Sequence, residues 1–477
     1  MKIHDFTGKV KRTKLITTLG PSTHSKENIK ELFDNGMTTV RLNFSHADFE
    51  EHGARIKWVK DLRKEINKPI SILLDTKGPE IRVGKFANGK QEIKQNAIVT
   101  IYTNPDDFST KECKENEIQM SYDMSKDIKK GDLVLIDDGK LTMHVTEVKK
   151  QVVICKAFNS HVVKNNKRVN LPGIEFSLPF LAEKDINDIK FGIENGIDYI
   201  AASFVNSAKD VNQIRTILKE KNAEHIQIIS KIESQVGIDN IDSIIDASDG
   251  IMIARGDLGL EIPYFEVPYW EKQIIRKCRE QGKIVIVATQ MLESMTDNPQ
   301  PTRAEVTDVY YATELGSDST MLSGESANGD FPFITVKTMA TICQRAEVEF
   351  YNKLYYAKQL EDAKATSKGP RAVIAEKLAN MAIDGKYEYA VVASKTGQLL
   401  KTISKFRPNV TILGVTSDEK LENAFGVWHS IFMNHTNDFD GFKKNDSQIK
   451  EVALKWGAKK GETILFVHND NIKEIKL

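Results

Sequence analysis

Short apolar runs alternate with helical patterns through much of this 477-residue chain, and that alternation most constrains how it can fold. Strands separated by helices pair in parallel, because each helix carries the chain back to the edge where the next strand begins. The pattern predicts eight such strands, at residues 14–18, 39–43, 71–75, 199–203, 227–231, 250–254, 284–288 and 319–322. Eight parallel strands with interleaved helices favour a closed (β/α)8 TIM barrel.

The segments between these strands carry helical signals. Residues 26–36, KENIKELFDNG, end in a glycine that suits helix termination. Residues 208–222 place Val211, Ile214 and Leu218 on one face at helical spacing. Both segments therefore read as crossover helices of the barrel.

The alternation of barrel strands and helices is interrupted once, by an insertion after the third strand, and the C-terminal residues form a further region. After the third strand the chain changes to alternating β-type runs, in which Asp138-Gly139 is a plausible hairpin turn. An insertion there would stand at the mouth of the barrel, where it could act as a lid that excludes water. The predicted domains are barrel residues 1–78, a β lid of residues 79–171, barrel residues 172–346 and a C-terminal α/β domain of residues 347–477.

Composition excludes several classes of protein. The 67 basic and 67 acidic residues cancel, which argues against general nucleic-acid binding. No apolar run approaches membrane-spanning length, and the N-terminal residues lack the apolar core of a secretion signal. The four cysteines are widely spaced and read as isolated reduced thiols. These features predict a cytoplasmic protein with no membrane partner.

Polar side chains follow most of the predicted strands, at the end of a barrel where chemistry takes place. One polar strand end means little, but six that converge on one rim favour a site. The residues are Arg41, Asn43 and Ser45; Asp75, Thr76 and Lys77; Lys231 and Glu233; Arg255 and Asp257; Thr289 and Gln290; and Ser323 and Glu325.

Two carboxylates and one lysine suggest the chemistry of that rim. Glu233 and Asp257 are hard oxygen ligands at adjacent strand ends, which suits Mg²⁺ or Mn²⁺ completed by water and substrate oxygens. Either carboxylate taken singly is more simply explained by a salt bridge. Lys231 could pair with Glu233 or stabilise negative charge on a substrate oxygen. Gly256 allows close backbone approach, so that exposed amides could bind a substrate carboxylate.

A set of longer motifs resembles the pyruvate kinase family, and the motifs follow one another in the order found in that family. The motifs are MTTVRLNFSHA (37–47), LLDTKGPEIRVG (73–84), DDGKL (137–141), SKIES (230–234), ARGDLG (254–259), ATQMLESM (288–295) and MLSGESANG (321–329). They extend over the barrel and the lid. A match of this length is far more specific than a single short glycine motif.

The resemblance implies phosphoryl transfer from phosphoenolpyruvate to ADP, which gives pyruvate and ATP in the final step of glycolysis. It implies that Glu233 and Asp257 hold the divalent ion and that Lys231 stabilises charge on the phosphoryl group and the enolate. Arg41 would contact the phosphate, and Thr289 would lie beside the enolate carbon. The backbone of Gly256 and Asp257 would receive the substrate carboxylate. A second Mg²⁺ would accompany the nucleotide.

The resemblance also implies a K⁺ site at the second and third strand ends. The implied ligands are Asn43, Ser45, Asp75 and Thr76. Amide, hydroxyl and carboxylate oxygens suit a large hard cation, although a polar capping network would use the same residues. Glu80 resembles K⁺-dependent members of the family, since members that dispense with K⁺ tend to carry lysine there.

Nucleotide contacts are implied for four residues: Asn43, His46, Arg82 and Lys167. The proton donor to the enolate is less defined by the sequence. Thr289 is the residue placed there by resemblance, but an ordinary threonine hydroxyl is a poor acid. A relay through water, or through Ser323 and Glu325, is the expected alternative.

The resemblance weakens in the C-terminal domain. Residues 394–396, SKT, could cradle an effector phosphate at a helix start, or could simply cap the helix. Gln398 stands where family members commonly carry a second hydroxyl residue, and residues 465–477 lack the glycine- and threonine-rich loop of the effector pocket. Regulation by fructose 1,6-bisphosphate is therefore not expected, whereas another effector, or none, remains open.

Two other functions compete with the kinase interpretation. A Mg²⁺-dependent lyase or aldolase acting through pyruvate enolate could use similar Lys, Glu and Asp residues, but it has no need of the complete DTKGPEIR motif. A catalytically inactive barrel kept for binding should have lost at least one of Lys231, Glu233 and Asp257. The resemblance also implies a homotetramer.

Overall fold

The chain begins as one part of a barrel. The computed structural model describes residues 10–110, 113–175, 177–351 and 354–477. Its first elements are β1 (Lys14–Thr18), α1 (Lys26–Asp34), β2 (Thr39–Asn43), α2 (Phe49–Ile66) and β3 (Ser71–Asp75). Every residue of β1 and β3 is buried. Continuous burial of this kind is typical of parallel strands covered on both faces.

An inserted β domain follows β3. Its strands are β4 (Ile81–Arg82), β5 (Lys90–Ile93), β6 (Ile98–Tyr102), β7 (Glu117–Gln119), β8 (Leu133–Ile136), β9 (Leu141–Lys149), β10 (Val152–Ala157), β11 (His161–Lys164) and β12 (Arg168–Asn170). Seven of them form one sheet in the order β4-β12-β8-β9-β10-β6-β7, and β11 pairs with β5. We refer to residues 81–170 as the lid.

The predicted hairpin of the lid is confirmed. Strands β8 and β9 are antiparallel, with Ile136 opposite Leu141. Asp137, Asp138 and Gly139 all have positive φ, at 56°, 55° and 78°. Asp and Gly tolerate this left-handed region better than other residues, which explains why the DDG sequence forms the turn.

The chain then returns to the barrel. The elements are α3 (Glu183–Glu194), β13 (Tyr199–Ala202), α4 (Ala208–Glu220), β14 (Gln227–Ile232), α5 (Gln235–Asp239), α6 (Ile241–Ala247), β15 (Gly250–Ala254), α7 (Arg255–Glu261), α8 (Val267–Gln281), β16 (Ile284–Ala288), α9 (Arg303–Glu314), β17 (Ser319–Leu322), α10 (Gly324–Ala327) and α11 (Pro332–Tyr351). As predicted, α4 buries Val211, Ile214 and Leu218.

Eight parallel strands close the barrel, which confirms the predicted fold class. Their order is β1-β17-β16-β15-β14-β13-β3-β2, and β1 pairs with both β17 and β2. Six of the strands have the predicted bounds, while β13 ends one residue earlier and β14 one residue later than predicted. The carboxyl ends of all eight strands therefore lie at one rim, next to the lid that follows β3.

The C-terminal part forms a separate α/β sheet. Its elements are α12 (Leu354–Ala365), α13 (Pro370–Met381), β18 (Tyr389–Ala393), α14 (Gln398–Phe406), β19 (Thr411–Thr416), α15 (Glu419–Glu422), β20 (Ile431–His435), α16 (Phe439–Phe442), α17 (Asp446–Lys455), β21 (Thr463–His468) and β22 (Asn471–Lys476). The sheet order is β20-β19-β18-β21-β22, and β22 is an antiparallel edge strand. Helix α11 continues past residue 346, where the barrel is predicted to end. The predicted domain limits stay predictions.

Residues 423–428 of this C-terminal domain close the amino end of the barrel, and we call them the plug segment. Barrel side chains donate hydrogen bonds to its carbonyl oxygens from Thr38, Ser71, Tyr199, Gln227 and Ser319. A Cβ atom on Gly426 would lie 2.1 Å from Ser71 Oγ, so only glycine permits this approach. The apolar interior of the barrel and the core of the C-terminal domain are continuous at this point.

None of the helices in the described part of the chain is long and apolar enough to cross a membrane.

His429 follows the plug segment and is buried between the two domains, with a side chain that is 4% exposed. Its amide donates to Asp318 Oδ1 (3.4 Å), and Asp318 forms a buried ion pair with Arg407 (2.7 Å). Burial lowers the pKa of His429 well below its usual value, and the charges of Arg407 and Arg12 lower it further. His429 is therefore neutral in the folded chain.

We predict that His429 makes the folded chain less stable in mild acid. Below pH 6.5 the unfolded chain binds a proton at His429 and the folded chain does not, so the free energy of unfolding falls by up to about 1.4 kcal/mol per pH unit. The loss continues until the pH passes the lowered folded pKa. Urea unfolding between pH 8 and pH 5 should show a shallower fall for His429→Gln.

The exposed residue His144 provides the matched control. His144→Gln should keep the pH dependence of the unchanged chain. Identical slopes for the two variants would contradict the role given to His429.

Candidate active site

Asp75, the last residue of β3, is a carboxylate that is only 1% exposed. Its Oδ2 accepts a hydrogen bond from Arg41 Nε (2.7 Å), and its Oδ1 contacts Lys231 Nζ (3.0 Å). Burial alone would raise the pKa of Asp75, but the charges of Arg41 and Lys231 outweigh burial and lower it. Asp75 is therefore an anion that holds two cations at the rim.

Lys231, on β14, extends the cluster toward the next strand ends. Its ammonium group donates to Ser203 Oγ (2.7 Å) and forms an ion pair with Glu233 Oε1 (3.1 Å). Glu233 Oε2 accepts the backbone N–H of Phe204 (2.7 Å). Lys231 thus lies between two carboxylates. We call Arg41, Asp75, Ser203, Lys231, Glu233 and Asp257 the Asp75 network.

Glu233 and Asp257 lie side by side, although they come from different strand ends. They are close enough for each carboxyl group to affect the pKa of the other. Burial raises the pKa of Glu233 to about 7, with a further contribution from Asp257. The pKa of Asp257 is lowered, because Arg168 and Lys231 outweigh the effect of burial. Two acids this close, one of them fully buried, are stable only when protons or cations compensate them.

Arg168 of the lid supplies part of that compensation. Its Nη1 donates to Asp257 Oδ1, and its guanidinium carbon lies 4.8 Å from the ring centroid of Phe204. A second lid contact joins Asn170 Nδ2 to Glu261 Oε1 (3.0 Å). The lid is therefore bonded to the barrel at the carboxylate pair.

The residues of the expected K⁺ site lie at adjoining strand ends. Asn43 and Asp75 are direct partners across β2 and β3. Asn43 Oδ1 accepts the amide of Ser45 (3.1 Å), and the Thr76 hydroxyl accepts the amide of Ser203 (3.1 Å). These bonds also match the polar capping network that is the alternative, and the K⁺ site stays a prediction.

The residues expected to contact nucleotide lie at the end of β2, on the loop after it and in the lid. Arg82 Nη2 pairs with Glu80 Oε2 (2.7 Å), and Lys167 Nζ pairs with Asp137 Oδ1 (2.7 Å). His46 is exposed on the loop after β2. No hydrogen bond or ion pair among the described residues joins the side chains of Arg82, Lys167 or His46 to the Asp75 network. Their role toward a nucleotide stays a prediction.

Thr289 lies beside Gly256 at the next strand ends. The Gly256 amide donates to Thr289 Oγ1 (2.7 Å), and the Thr289 hydroxyl donates to the Ala288 carbonyl (2.6 Å). Thr289 and Gln290 have positive φ, at 65° and 54°. Strained backbone of this kind is common where a side chain must be held for function.

Ser323 and Glu325 follow β17. The Ser323 amide donates to Glu325 Oε2 (2.7 Å), and Glu325 Oε1 accepts the Leu292 amide (3.3 Å). Ser323 Oγ is buried and has no hydrogen-bond partner among the described residues. A free buried hydroxyl near Thr289's strand is suited to bind water or substrate.

Arg255, in contrast, is structural. Its Nη1 pairs with Asp308 Oδ1 (2.6 Å) and Glu271 Oε2 (3.2 Å), and its Nη2 donates to the Thr289 carbonyl (2.9 Å). Arg255 therefore fastens the strand end that carries Thr289 to helices α8 and α9.

The carboxylate pair suits a divalent ion that keeps other ligands. Within residues 10–110, 113–175, 177–351 and 354–477, no three His, Cys, Asp or Glu side chains cluster so as to hold a metal ion alone. Mg²⁺ is usually bound by one or two carboxylates, with water and substrate phosphates completing its octahedron. Glu233 and Asp257 fit that requirement.

The predicted effector segment has a simpler local role. Ser394 Oγ accepts the Gly397 amide (3.1 Å) directly before α14. Lys395 Nζ lies 3.6 Å from Asp440 Oδ2. This is the capping alternative, and it leaves the question of an effector open.

Sequence comparisons match both parts of the chain to one family. Residues 10–336 match the family described as "Pyruvate kinase, barrel domain", and residues 372–475 match "Pyruvate kinase, alpha/beta domain". The chain belongs to the pyruvate kinase family.

Individual pyruvate kinases agree with the family match. The chain is 43% identical to a pyruvate kinase of Mycoplasma pneumoniae, over 89% of each chain. It is 41% identical to one from Clostridium acetobutylicum, over 96% of this chain and 95% of that one. A crystal structure of a Cryptosporidium parvum pyruvate kinase superposes with a TM-score of 0.90 at 34% identity, over 98% of this chain and 96% of that one. These relatives give no support to the lyase or aldolase alternative.

Within this pyruvate kinase site, two contacting residues were not singled out from the sequence. The sequence gives little signal for Ser203, because a single serine among the residues AASF does not stand out as a polar strand end. It gives little signal for Arg168, because the resemblance to the family points to the adjacent Lys167. The signal available for Arg168 is the alternation of side-chain direction along β12, since successive residues of a strand point to opposite faces.

We predict that Asp75→Ala strongly destabilises the barrel. The substitution leaves Arg41 and Lys231 buried beside each other without their shared carboxylate, which should lower the free energy of unfolding by about 3–5 kcal/mol. Urea unfolding followed by tryptophan fluorescence measures the change.

Asp34→Ala is the matched control, because Asp34 pairs with Lys30 on the surface, where both side chains are more than half exposed. It should change the unfolding free energy by no more than about 0.5 kcal/mol. Similar effects of the two alanine variants would show that the Asp75 network is not the stabilising element.

Proposed function

We propose that the chain transfers a phosphoryl group from phosphoenolpyruvate to ADP, giving pyruvate and ATP as the final step of glycolysis. The observation that carries this proposal is the position of Lys231. Its ammonium group lies between Asp75 and Glu233, one contact away from Arg41 and from Asp257. Two cations beside a carboxylate pair suit a reaction in which negative charge spreads over a phosphoryl group.

The cationic side chains would act mainly by position and charge. We assign Arg41 to the phosphate of phosphoenolpyruvate, because its Nη1 end reaches Thr18 at the barrel rim (2.9 Å). Lys231 would stabilise the phosphoryl group in transfer and the enolate oxygen left behind. Burial raises the strength of each contact, because little water competes for the same charges.

The bound ions would complete this charge balance. A divalent ion held by Glu233 and Asp257 would neutralise substrate oxygens, a second Mg²⁺ would arrive with the nucleotide, and K⁺ would be held by Asn43, Ser45, Asp75 and Thr76. The chain's own part is to fix the carboxylates. The Phe204 amide holds Glu233, and Arg168 holds Asp257.

The lid would bring the nucleotide to the barrel rim. Arg82 and Lys167 are the lid cations assigned to ADP phosphates, with Asn43 and His46 on the barrel side. Each lid cation is preoriented by a carboxylate, Glu80 or Asp137. Closure of the lid over the rim would exclude water during transfer.

Transfer breaks the bond between phosphorus and the enol oxygen and forms one to a terminal oxygen of ADP. The enolate that remains must then gain a proton at carbon. Thr289 is assigned to that side of the substrate, and its hydroxyl already accepts the Gly256 amide. The Ser323 hydroxyl, which has no hydrogen-bond partner in the described part of the chain, lies beside Glu325 and would offer the proton relay. The backbone of Gly256 and Asp257 is assigned to the substrate carboxylate.

A homotetramer in the cytoplasm is part of the proposal, and it rests on the family. The first experiment is ATP formation from phosphoenolpyruvate and ADP, coupled to reduction of pyruvate. Pyruvate formation without ADP, or none with it, would refute phosphoryl transfer to a nucleotide.

We predict that Lys231→Ala lowers turnover by at least about 100-fold, with little change in the half-saturation concentration of phosphoenolpyruvate. The lost contact is made mainly in the transition state, so turnover falls and binding is spared. Steady-state kinetics measure both quantities.

Lys30→Ala on the exposed face of α1 is the control and should retain normal turnover. Near-normal turnover of Lys231→Ala, in a variant that folds normally, would refute the role of Lys231.

We predict that activity depends on K⁺ through the Glu80 region. Replacing K⁺ by tetramethylammonium should lower the rate about tenfold or more, because one positive charge is then missing near the phosphates. Glu80→Lys should reduce the K⁺ ratio, by which we mean the rate with K⁺ divided by the rate with tetramethylammonium, since the lysine supplies a positive charge of its own.

Glu92→Lys, at an exposed position of the lid, makes the same charge change elsewhere. It should leave the K⁺ ratio unchanged. Equal rates with and without K⁺ in the unchanged chain would contradict the monovalent site.

A further inference from the structure

Arg168 brings a positive charge from the lid to the place where a divalent ion is expected. It is the first residue of β12, and its side chain is 18% exposed. Its Nη1 contacts Asp257 Oδ1, and its guanidinium carbon lies 4.8 Å from the Phe204 ring centroid. The Phe204 amide in turn holds Glu233 (2.7 Å). Arg168 therefore adjoins both members of the carboxylate pair.

The charges around Arg168 favour this position. Three carboxylates lie close enough to act electrostatically on the guanidinium group. Asp257 makes the largest of these contributions, and Glu233 and Glu80 add to it. The guanidinium group thus neutralises acids that would otherwise repel each other.

The hydrogen bonding of the Arg168 guanidinium group is nevertheless incomplete. Its Nη2 is buried and has no hydrogen-bond partner among the described residues. Among the described residues, one ion pair and one ring contact keep the guanidinium group beside the acids. A buried guanidinium with an unpaired donor can move at little expense when a stronger cation competes for Asp257.

We propose that Arg168 is a displaceable cation, which fastens the lid to the carboxylate pair and must yield Asp257 when a divalent ion binds. This inference rests on the proposed function, since it takes Glu233 and Asp257 as the divalent ligands. Because binding free energies are reciprocal, the lid contact lowers metal affinity by the same factor by which the metal weakens the lid contact. Arg168 would thereby tie lid position to metal occupancy.

Mn²⁺ binding to the full chain, without nucleotide or phosphoenolpyruvate, tests the competition. Electron paramagnetic resonance of free Mn²⁺ gives the dissociation constant. Arg168→Gln should bind Mn²⁺ about tenfold more tightly than the unchanged chain, the size expected for one charge-assisted contact. Arg168→Lys, which keeps the charge but not the planar fork, should fall between them.

Asn170→Ala is the matched control. It breaks a different lid–barrel bond, to Glu261, and leaves the guanidinium group in place. It should bind Mn²⁺ with the affinity of the unchanged chain. A dissociation constant for Arg168→Gln that is unchanged or higher would overturn the inference, as would an equal gain in affinity from Asn170→Ala.

Glu233→Gln separates this inference from the assignment of the metal site. It should weaken Mn²⁺ binding strongly. Undiminished binding by Glu233→Gln would overturn the metal assignment and this inference together. Weakened binding there, with no gain from Arg168→Gln, would overturn the inference alone.

Hydrogen exchange gives a second measurement that does not depend on activity. Mn²⁺ should speed amide exchange in β12 of the unchanged chain, because the lid loses a contact. The same addition should have little effect on β12 in Arg168→Gln. Slower exchange of β12 in the unchanged chain on Mn²⁺ addition would refute displacement.

Discussion

Compensation of buried charge is the constraint on which the rest of the structure depends. Asp75 is almost inaccessible to water, and it remains an anion only because Arg41 and Lys231 contact its two oxygens. Lys231 in turn needs Glu233, and the acids beyond it need Arg168. Removing one member leaves its partners with an incompletely compensated charge, which is costly in a medium of low dielectric constant.

The barrel makes that compensation possible by geometry. Residues far apart in the chain meet because parallel strands end at one rim. Asp75 ends β3, Lys231 lies on β14 and Asp257 lies in the first turn of α7, which directly follows β15. The chain leaves the barrel at this rim to form the lid and then returns to the barrel. Arg168 of the lid can therefore add a positive charge that the barrel strands do not carry. Substrate chemistry and lid placement therefore use the same few side chains.

Much of this could be predicted from the sequence, because the governing signals are local. Burial on both faces makes a parallel strand a continuous apolar run, and six strands have the predicted bounds. The polar residues at the strand ends stand out for the same reason. Asp75, Lys231, Glu233 and Asp257 were all candidates before their contacts were known.

The contacts between distant segments could not be predicted in that way. Nothing in the letters KRVN states that Arg168 crosses from the lid to Asp257, since side-chain direction depends on the register of β12. Ser203 carries no pattern of its own. The plug segment is equally hard to recognise, because most of its bonds to the barrel are made by its backbone carbonyl oxygens and one by the Trp428 side chain, which donates to Gln227.

The plug segment has a consequence for the order in which the protein can form. The last barrel strand, β17, ends at Leu322, whereas the carbonyls that satisfy Tyr199, Gln227 and Ser319 belong to residues 423–428. A ribosome therefore releases all eight strands well before it releases the segment that seals them. The amino end of the nascent barrel therefore stays uncovered until residues 423–428 have been made, and the barrel can complete its hydrogen bonds only after that point.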